Sequence, residues 1–235
     1  MEKYNPKTAF IIRMHFKKND PRWEWRLAYF RSVVLPKILD QTDKDFDICM
    51  RVNKHHAEQV QALSDRIKIF DVVPEKNGYI DPKNRRKARK YFIDFIHYKY
   101  TVGLEKYDIQ IGIDSDDMPL RNDFVERVKM ECMRYPDLPL HISFQPHIFH
   151  VPTLRMFECP MNYGSKLTNG SPIFAIYQPK ASENQRYIFA YSDSHLQLPN
   201  KIKRAIRIEE DYCCYSVHGK NSSTGLYPNL KQIMI

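Results

Sequence analysis

Long apolar runs and flexible segments are both missing from this chain of 235 residues. No run approaches the roughly 20 apolar residues that a membrane-spanning helix needs, and residues 1–8 lack the apolar stretch of a secretory signal. With only 7 glycines, the chain has no glycine-rich linker and no low-complexity tract. These absences predict a protein that is soluble or attached to a membrane only peripherally, and we expect it in the cytoplasm or at the inner membrane face.

Cysteine is also scarce, and its spacing matches neither a disulfide framework nor a zinc site. The cysteines are odd in number and include no CxxC pair, whereas both kinds of site need regular spacing. A reduced, cytosolic setting is the best interpretation. The five cysteines are Cys49, Cys132, Cys159, Cys213 and Cys214.

The composition is otherwise that of a globular protein with excess positive charge. Hydrophobic residues make up 43% of the chain and charged residues 28%, which excludes disorder, collagen and a coiled coil. The 37 Lys and Arg against 28 Asp and Glu give a net charge of +9. This excess favours phosphates, nucleic acid or an acidic membrane as partners and does not choose among them.

Strand-like and helix-like segments alternate in the first half of the chain. Short β-rich apolar runs are each followed by segments whose apolar residues recur every three or four positions. This alternation predicts an α/β fold with a mainly parallel, Rossmann-like sheet and helices on both faces. Pro36 is expected to kink or end the first helix. The predicted strands are residues 9–16, 46–52, 67–73 and 108–113, and the predicted helices are 23–39, 57–64, about 81–103 and one beginning near 122.

After Pro139 the chain changes to short β-like pieces separated by prolines and polar loops. They lie at residues 140–144, 173–177 and 213–217. We therefore expect a single domain whose C-terminal half is a mixture of strands and loops.

The segment Ile109 to Leu120, IQIGIDSDDMPL, carries the most information about chemistry. An apolar strand delivers Asp114, Asp116 and Asp117 to its C-terminal end, which is where α/β sheets bind ligands. Carboxylates this close repel one another unless a cation neutralises them, and their hard oxygens suit Mg²⁺ or Mn²⁺ bridged to phosphates. The alternative is that DSDD only forms a turn and caps the next helix.

The extended segment IDSDDMPLRNDFV resembles the DxD motif of nucleotide-sugar glycosyltransferases of the type A fold. A closer resemblance, to the rhamnosyltransferase family, includes the helix end Leu35 to Phe46, a DDD-type motif and the segment Val217 to Ser223, VHGKNSS. The likeness covers about residues 9–225. It implies one glycosyltransferase domain, with a nucleotide-binding half at about 9–117, an acceptor-binding half at about 118–225, and a tail at 226–235.

The resemblance implies a metal site at the aspartates. Asp116 and Asp117 would contact the Mn²⁺ or Mg²⁺ most directly, with Asp114 nearer the ribose or the waters of the metal. His218 matches the position at which many such enzymes bring a late histidine to the metal, and imidazole suits Mn²⁺ better than Mg²⁺. A histidine beside a glycine can equally be a solvated turn residue.

Several residues are candidates for holding the nucleotide of the donor. Arg13 and Asn53 end the first two strands, where such folds place the base and ribose, and Ser115 lies within the motif. Arg85 and Arg89 belong to a basic stretch that opens the long predicted helix, and positive charge at a helix N-terminus attracts phosphate.

By analogy with the family, transfer inverts the anomeric centre, so a general base must take the proton of the acceptor hydroxyl. Asp193 is the first candidate because it follows the glycine-containing loop 163–172, as the base does in the family order. Glu210 and Asp211 are the alternatives. His195 could assist or bind the acceptor.

The leading hypothesis is a metal-dependent hexosyl or deoxyhexosyl transferase of polysaccharide biosynthesis. Its partners would be a nucleotide sugar and a glycan or lipid-linked acceptor, with peripheral contact to an anionic membrane as a secondary idea. A nucleotidyl- or phosphotransferase would use the same aspartates, although no GxxxxGK[ST] loop is present. A pI near 9.2 also suggests a nucleic-acid binding module, but the helical spacing of Trp23 and Leu27 predicts core packing, and no nucleic-acid partner is expected.

Overall fold

A computed structural model of the chain describes residues 5–16, 18–73, 104–158, 173–179, 202 and 204–217. Its strands belong to one sheet, in the order β3-β2-β1-β4-β8-β6-β9-β5, with β7 paired to β6. The strands are β1 Thr8–Met14, β2 Asp47–Asn53, β3 Ile67–Val73, β4 Ile109–Asp114, β5 Met118–Pro119, β6 Leu140–His150, β7 Arg155–Glu158, β8 Ile173–Tyr177 and β9 Arg204–Val217.

Few helices accompany this sheet within the described residues. None of them is long and apolar enough to cross a membrane. The α-helices are α1 Trp23–Tyr29, α2 Leu35–Leu39, α3 Ala57–Gln61 and α4 Phe124–Met133, and short 3₁₀ turns lie at Lys54–His56 and Val151–Thr153.

The parallel half of the sheet is built from apolar strands, of which β1, β2 and β4 are buried on both faces, as is typical of parallel sheets. Strands β1–β2, β2–β3 and β1–β4 all pair in parallel. Phe10 and Ile12 of β1 face the main core, together with the described helices, whereas Ala9 and Ile11 face a second cluster. The predicted α/β fold and its mainly parallel sheet are confirmed. The long helix predicted at 81–103 lies outside the described residues.

The first helix continues past the proline that was expected to kink or end it. Between α1 and α2, residues Phe30–Val34 form a π-helical segment, in which the Leu35 N–H donates to the Phe30 carbonyl five residues earlier. Pro36 then occupies the first turn of α2. The widened turn accommodates a residue that has no N–H to donate, so helical backbone extends to Leu39.

The second half contains longer strands than the sequence pattern indicates. β6 runs on through Pro146 because the β6–β9 register shifts there, from Phe144 opposite Ile208 to Pro146 opposite Cys213. Proline is tolerated in a sheet at such irregularities. β9 also pairs with β5, directly after the aspartate motif, so this strand joins the C-terminal half of the sheet to the end of β4.

Gly112 on β4 allows the ring of Phe174 on β8 to pack against the strand. A Cβ at Gly112 would lie 2.8 and 2.9 Å from the two Cε atoms of that ring and closer still to Cζ.

We expect Gly112→Ala to lower the free energy of unfolding by about 1–3 kcal/mol through overpacking, as measured by urea denaturation. Adding Phe174→Leu should restore part of the loss, and strictly additive losses would contradict this explanation.

Candidate active site

The site lies at the carboxyl edge of the parallel strands, where β1 and β4 end side by side. Arg13 and Asp114 are direct neighbours in the β1–β4 register. The Arg13 Nη2 and Nε groups donate to Asp114 Oδ1 at 2.8 and 3.1 Å. Side-chain exposures of 37% and 44% place this pair at the rim of the site.

Asp116 lies deeper and is neutralised by a residue from α1. Arg26 forms an ion pair with Asp116 Oδ1, and the two side chains are only 12% and 11% exposed. A desolvated charge pair of this kind is held much more firmly than one on the surface. Helix α1 therefore supplies the positive charge that neutralises Asp116 of the motif.

Asp117 is the most deeply buried of the three aspartates. Its Oδ1 atom accepts a hydrogen bond from the backbone N–H of Ser216 at 3.2 Å, and its own N–H donates to the Asp114 carbonyl at 3.1 Å in a tight turn. Burial, followed by the charges of Asp116 and Asp114, raises the pKa of Asp117 well above its usual value. Ionising the Asp117 carboxyl at this buried position is therefore costly.

Tyr29 fastens the end of β9 beside this carboxylate. Its hydroxyl donates to Ser216 Oγ at 2.9 Å, and Ser216 is completely buried. Burial raises the pKa of Tyr29 to about 12, so the phenol stays protonated and able to donate at neutral pH. The end of β9 is consequently fixed from two sides, by Asp117 and by α1.

These groups surround a cavity of about 200 Å³. The residues predicted from the sequence that line it are Arg13, Asp114, Ser115, Asp116 and Asp117. The structure thus brings the DSDD motif and the end of β1 together as the sequence pattern indicates.

Four further lining residues are not assigned to the site by any sequence motif: His15, Phe16, Arg26 and Tyr215. His15 and Phe16 directly follow β1, and their position after a parallel strand indicates that they lie at the ligand-binding edge of the sheet. Arg26 and Tyr215 come from α1 and β9, and only the tertiary fold brings them to the motif.

The oxygen ligands present fit a hard divalent cation such as Mg²⁺ or Mn²⁺. Burial and the neighbouring carboxylates raise the pKa of Asp117, and a bound cation would offset both effects. Within the described ranges, however, no three His, Cys, Asp or Glu side chains already stand where they could jointly hold a metal ion. His218 lies outside the described residues, and β9 ends one residue before it.

Asn53 has a clear structural partner. It is buried, and its Oδ1 atom accepts a hydrogen bond from the Phe16 N–H at 2.7 Å, which fixes the segment that follows β1. The expected contact with base or ribose stays a prediction, and the side chain is not among those that line the cavity.

The general base also stays a prediction. Glu210 is 51% exposed, forms an ion pair at 3.4 Å with Arg127 of α4 and does not line the cavity. Asp211 lies on β9. The other candidates from the sequence lie outside the described residues, as does the loop 163–172; they are Arg85, Arg89, Asp193 and His195.

Trp23 is a core residue, as its helical spacing predicts. It is 3% exposed, its ring stacks on His56 with centroids 3.5 Å apart, and its Nε1–H donates to Gln59 Oε1 at 2.9 Å. Trp23 therefore packs in the interior and not on an exposed surface.

Comparisons with known proteins identify a family and a fold. The model of a protein family described as "Putative rhamnosyl transferase" matches residues 7–229. No curated protein sequence matches the chain.

Two solved structures share the fold. TarS 1–349 from S. aureus superposes with a TM-score of 0.53 at 11% identity, covering 89% of this chain and 60% of that one. The mannosyltransferase PcManGT from Pyrobaculum calidifontis, in complex with GDP-Man and Mn²⁺, gives 0.50 at 12% identity, with coverages of 93% and 59%. The chain thus spans about three fifths of each. At these identities the likeness shows the fold alone, which is that of type A glycosyltransferases.

His15 makes the protein sensitive to acid. Burial, and then Arg51 and Arg13, lower the pKa of His15 from 6.5 to about 3. Below pH 6.5 the unfolded chain binds a proton that the folded protein does not bind until about pH 3. Stability is therefore lost as the pH falls through this window, by up to about 1.4 kcal/mol per pH unit.

Urea titrations of wild type and His15→Gln check this expectation. The difference in free energy of unfolding should move in favour of the variant as the pH is lowered from 7.5 to 5. A difference that is constant over this range would contradict it.

Proposed function

The chain belongs to the putative rhamnosyl transferase family and has a glycosyltransferase fold, and we propose that it transfers a hexosyl or deoxyhexosyl group from a nucleoside-diphosphate donor. The acceptor would be a hydroxyl of a glycan or lipid-linked molecule, and the reaction would depend on Mn²⁺ or Mg²⁺. The observation that carries this proposal is one cavity at the carboxyl edge of the sheet, where three aspartates meet two arginines.

The donor set and the fold support the metal and the nucleotide. Asp116 and Asp117 would hold the ion, with His218 as a further ligand implied by the family resemblance. A bound divalent cation would neutralise the diphosphate as it leaves. PcManGT, which shares the fold, was solved with GDP-Man and Mn²⁺.

The chain's own residues would orient the donor. Arg13 donates from both Nε and Nη2 to one oxygen of Asp114, Oδ1, at the rim, and this fixed carboxylate would accept from ribose hydroxyls. The Ser216 N–H holds the Asp117 carboxylate by a hydrogen bond to Oδ1. The second oxygen of Asp117, Oδ2, would then contact the ion. Preorganised groups of this kind lower a barrier because they need not rearrange during the reaction.

We propose that transfer inverts the anomeric centre, with Asp193 as the general base and Glu210 or Asp211 as alternatives. His195 would assist or bind the acceptor, and Arg85 and Arg89 would contact the diphosphate.

The setting that we propose is the cytoplasm or the inner membrane face, in polysaccharide biosynthesis. All four cysteines among the described residues are free and buried, which is compatible with a reducing compartment. The net charge of +9 would favour contact with an anionic membrane that carries a lipid-linked acceptor.

A thermal-shift panel of nucleoside diphosphates, with and without Mn²⁺, tests the proposed function. With ligand at 100 times its Kd, binding adds about 2.7 kcal/mol of stability, which for a chain of this size raises the Tm by roughly 5–10 °C. We expect this rise for one nucleotide, only when Mn²⁺ is present, and not in Asp116→Asn.

The matched control is Glu126→Gln, which makes the same change from carboxylate to amide at an exposed position of α4. It should keep the full shift. The proposal fails if no nucleotide stabilises the wild type with either Mn²⁺ or Mg²⁺. Salt-dependent binding of RNA or DNA, unchanged in Asp116→Asn, would then favour the nucleic-acid module.

A further inference from the structure

Arg26 places a buried guanidinium inside the cavity, and no sequence motif accounts for it. It reaches Asp116 from α1, and each side chain of this ion pair is nearly nine-tenths buried. Both residues line the cavity. In the proposed function Asp116 binds a metal ion. Arg26 therefore contacts the same carboxylate that the ion would contact.

The guanidinium is held by more than its carboxylate partner. It lies over the Phe16 ring at 5.6 Å and over the Trp25 ring at 5.8 Å, at distances where a planar cation is attracted to an aromatic face. These contacts do not depend on Asp116. A change of partner at the charged end would therefore leave the Arg26 side chain in the cavity.

The formal charges make a change of partner favourable when metal and diphosphate arrive together. The cavity holds three carboxylates, those of Asp114, Asp116 and Asp117, and two guanidiniums, those of Arg13 and Arg26, so its formal charge with every group ionised is −1. A divalent ion changes this to +1, and a positively charged cavity attracts the anionic diphosphate. An ion on Asp116 would also repel the guanidinium that is already there.

From this geometry we infer that Arg26 exchanges partners, binding Asp116 in the metal-free protein and the donor diphosphate once a divalent ion occupies Asp116. Arg26 thus neutralises Asp116 in the metal-free protein and binds the diphosphate in the metal-bound protein. The inference rests on the proposed function and adds the order of events. A planar guanidinium suits both partners because it forms forked hydrogen bonds with carboxylate and phosphate alike.

The partner exchange requires that metal and nucleotide bind cooperatively. A metal ion that binds without nucleotide must displace a buried guanidinium from Asp116. A diphosphate that binds without metal lacks Arg26 as a partner, because Arg26 is paired with Asp116. Each ligand removes the obstacle to the other, and the coupling is necessarily reciprocal.

Arg26→Met tests this inference, because it keeps an unbranched apolar stem against Phe16 and Trp25 while it removes the charge. The affinity for Mn²⁺ alone, measured by electron paramagnetic resonance of the free ion, should rise at least threefold. The affinity for the nucleoside diphosphate at saturating Mn²⁺, measured by isothermal titration calorimetry, should fall at least tenfold. Arg26→Lys should restore part of the nucleotide affinity because it restores the charge without the fork.

Arg22→Met is the matched control. Arg22 immediately precedes α1 and lies over the same Phe16 ring at 5.6 Å, but it pairs with Asp20 and is 46% exposed. Both affinities should remain those of the wild type.

The opposite changes in the two affinities separate partner exchange from a packing role. If Arg26→Met weakens both Mn²⁺ and nucleotide binding, Arg26 only supports the fold of the site and the inference is overturned. Unchanged affinities would overturn it equally, although the proposed function would survive in both cases. A wild type that binds none of ADP, GDP, CDP, UDP or dTDP with Mn²⁺ would end the proposed function, and the inference with it.

Discussion

Repulsion among three carboxylates within four residues is the constraint on which the arrangement of this site depends. Strand β4 carries Asp114, Asp116 and Asp117 to the carboxyl edge of the sheet, and such a group is unstable without compensation. The compensation comes from separate parts of the fold. Arg13 of β1 pairs with Asp114, Arg26 of α1 pairs with Asp116, and the Ser216 N–H of β9 donates to Asp117.

Strand β9, which supplies the partner of Asp117, is attached to the rest of the fold at several points. The strand pairs with β6 along most of its length and with β5 directly after the motif. Its end is then held by Asp117 and by the Tyr29 hydroxyl. Each attachment brings β9 past Tyr215 at the cavity, so the same contacts that satisfy a buried carboxylate also hold the end of β9 at the site.

The sequence predicts most of the parallel half because each strand there is short, apolar and separated from the next by polar residues. The strand predicted at 67–73 is β3 as observed, and the motif lies at the end of β4. β6 and β9 are underestimated because Pro146 and a register shift interrupt the local pattern without ending the pairing. The helix continues past Pro36 because of a π-helical turn, which no periodicity indicates. Arg26 is missed for a different reason, since a buried arginine and a solvated one look alike in sequence.

The aspartates form a gradient of exposure, and this gradient bears on their separate roles. The Asp114 side chain is 44% exposed and that of Asp116 11%, while Asp117 as a residue is only 2% exposed. A rim carboxylate paired with arginine is accessible, which suits hydroxyl groups of a ligand. A buried carboxylate with a raised pKa gains most from a cation, because ionising it there without one is costly. The order along the chain thus becomes an order in depth, which supports the roles proposed for Asp114 toward the polar part of a donor and for Asp116 and Asp117 toward the ion.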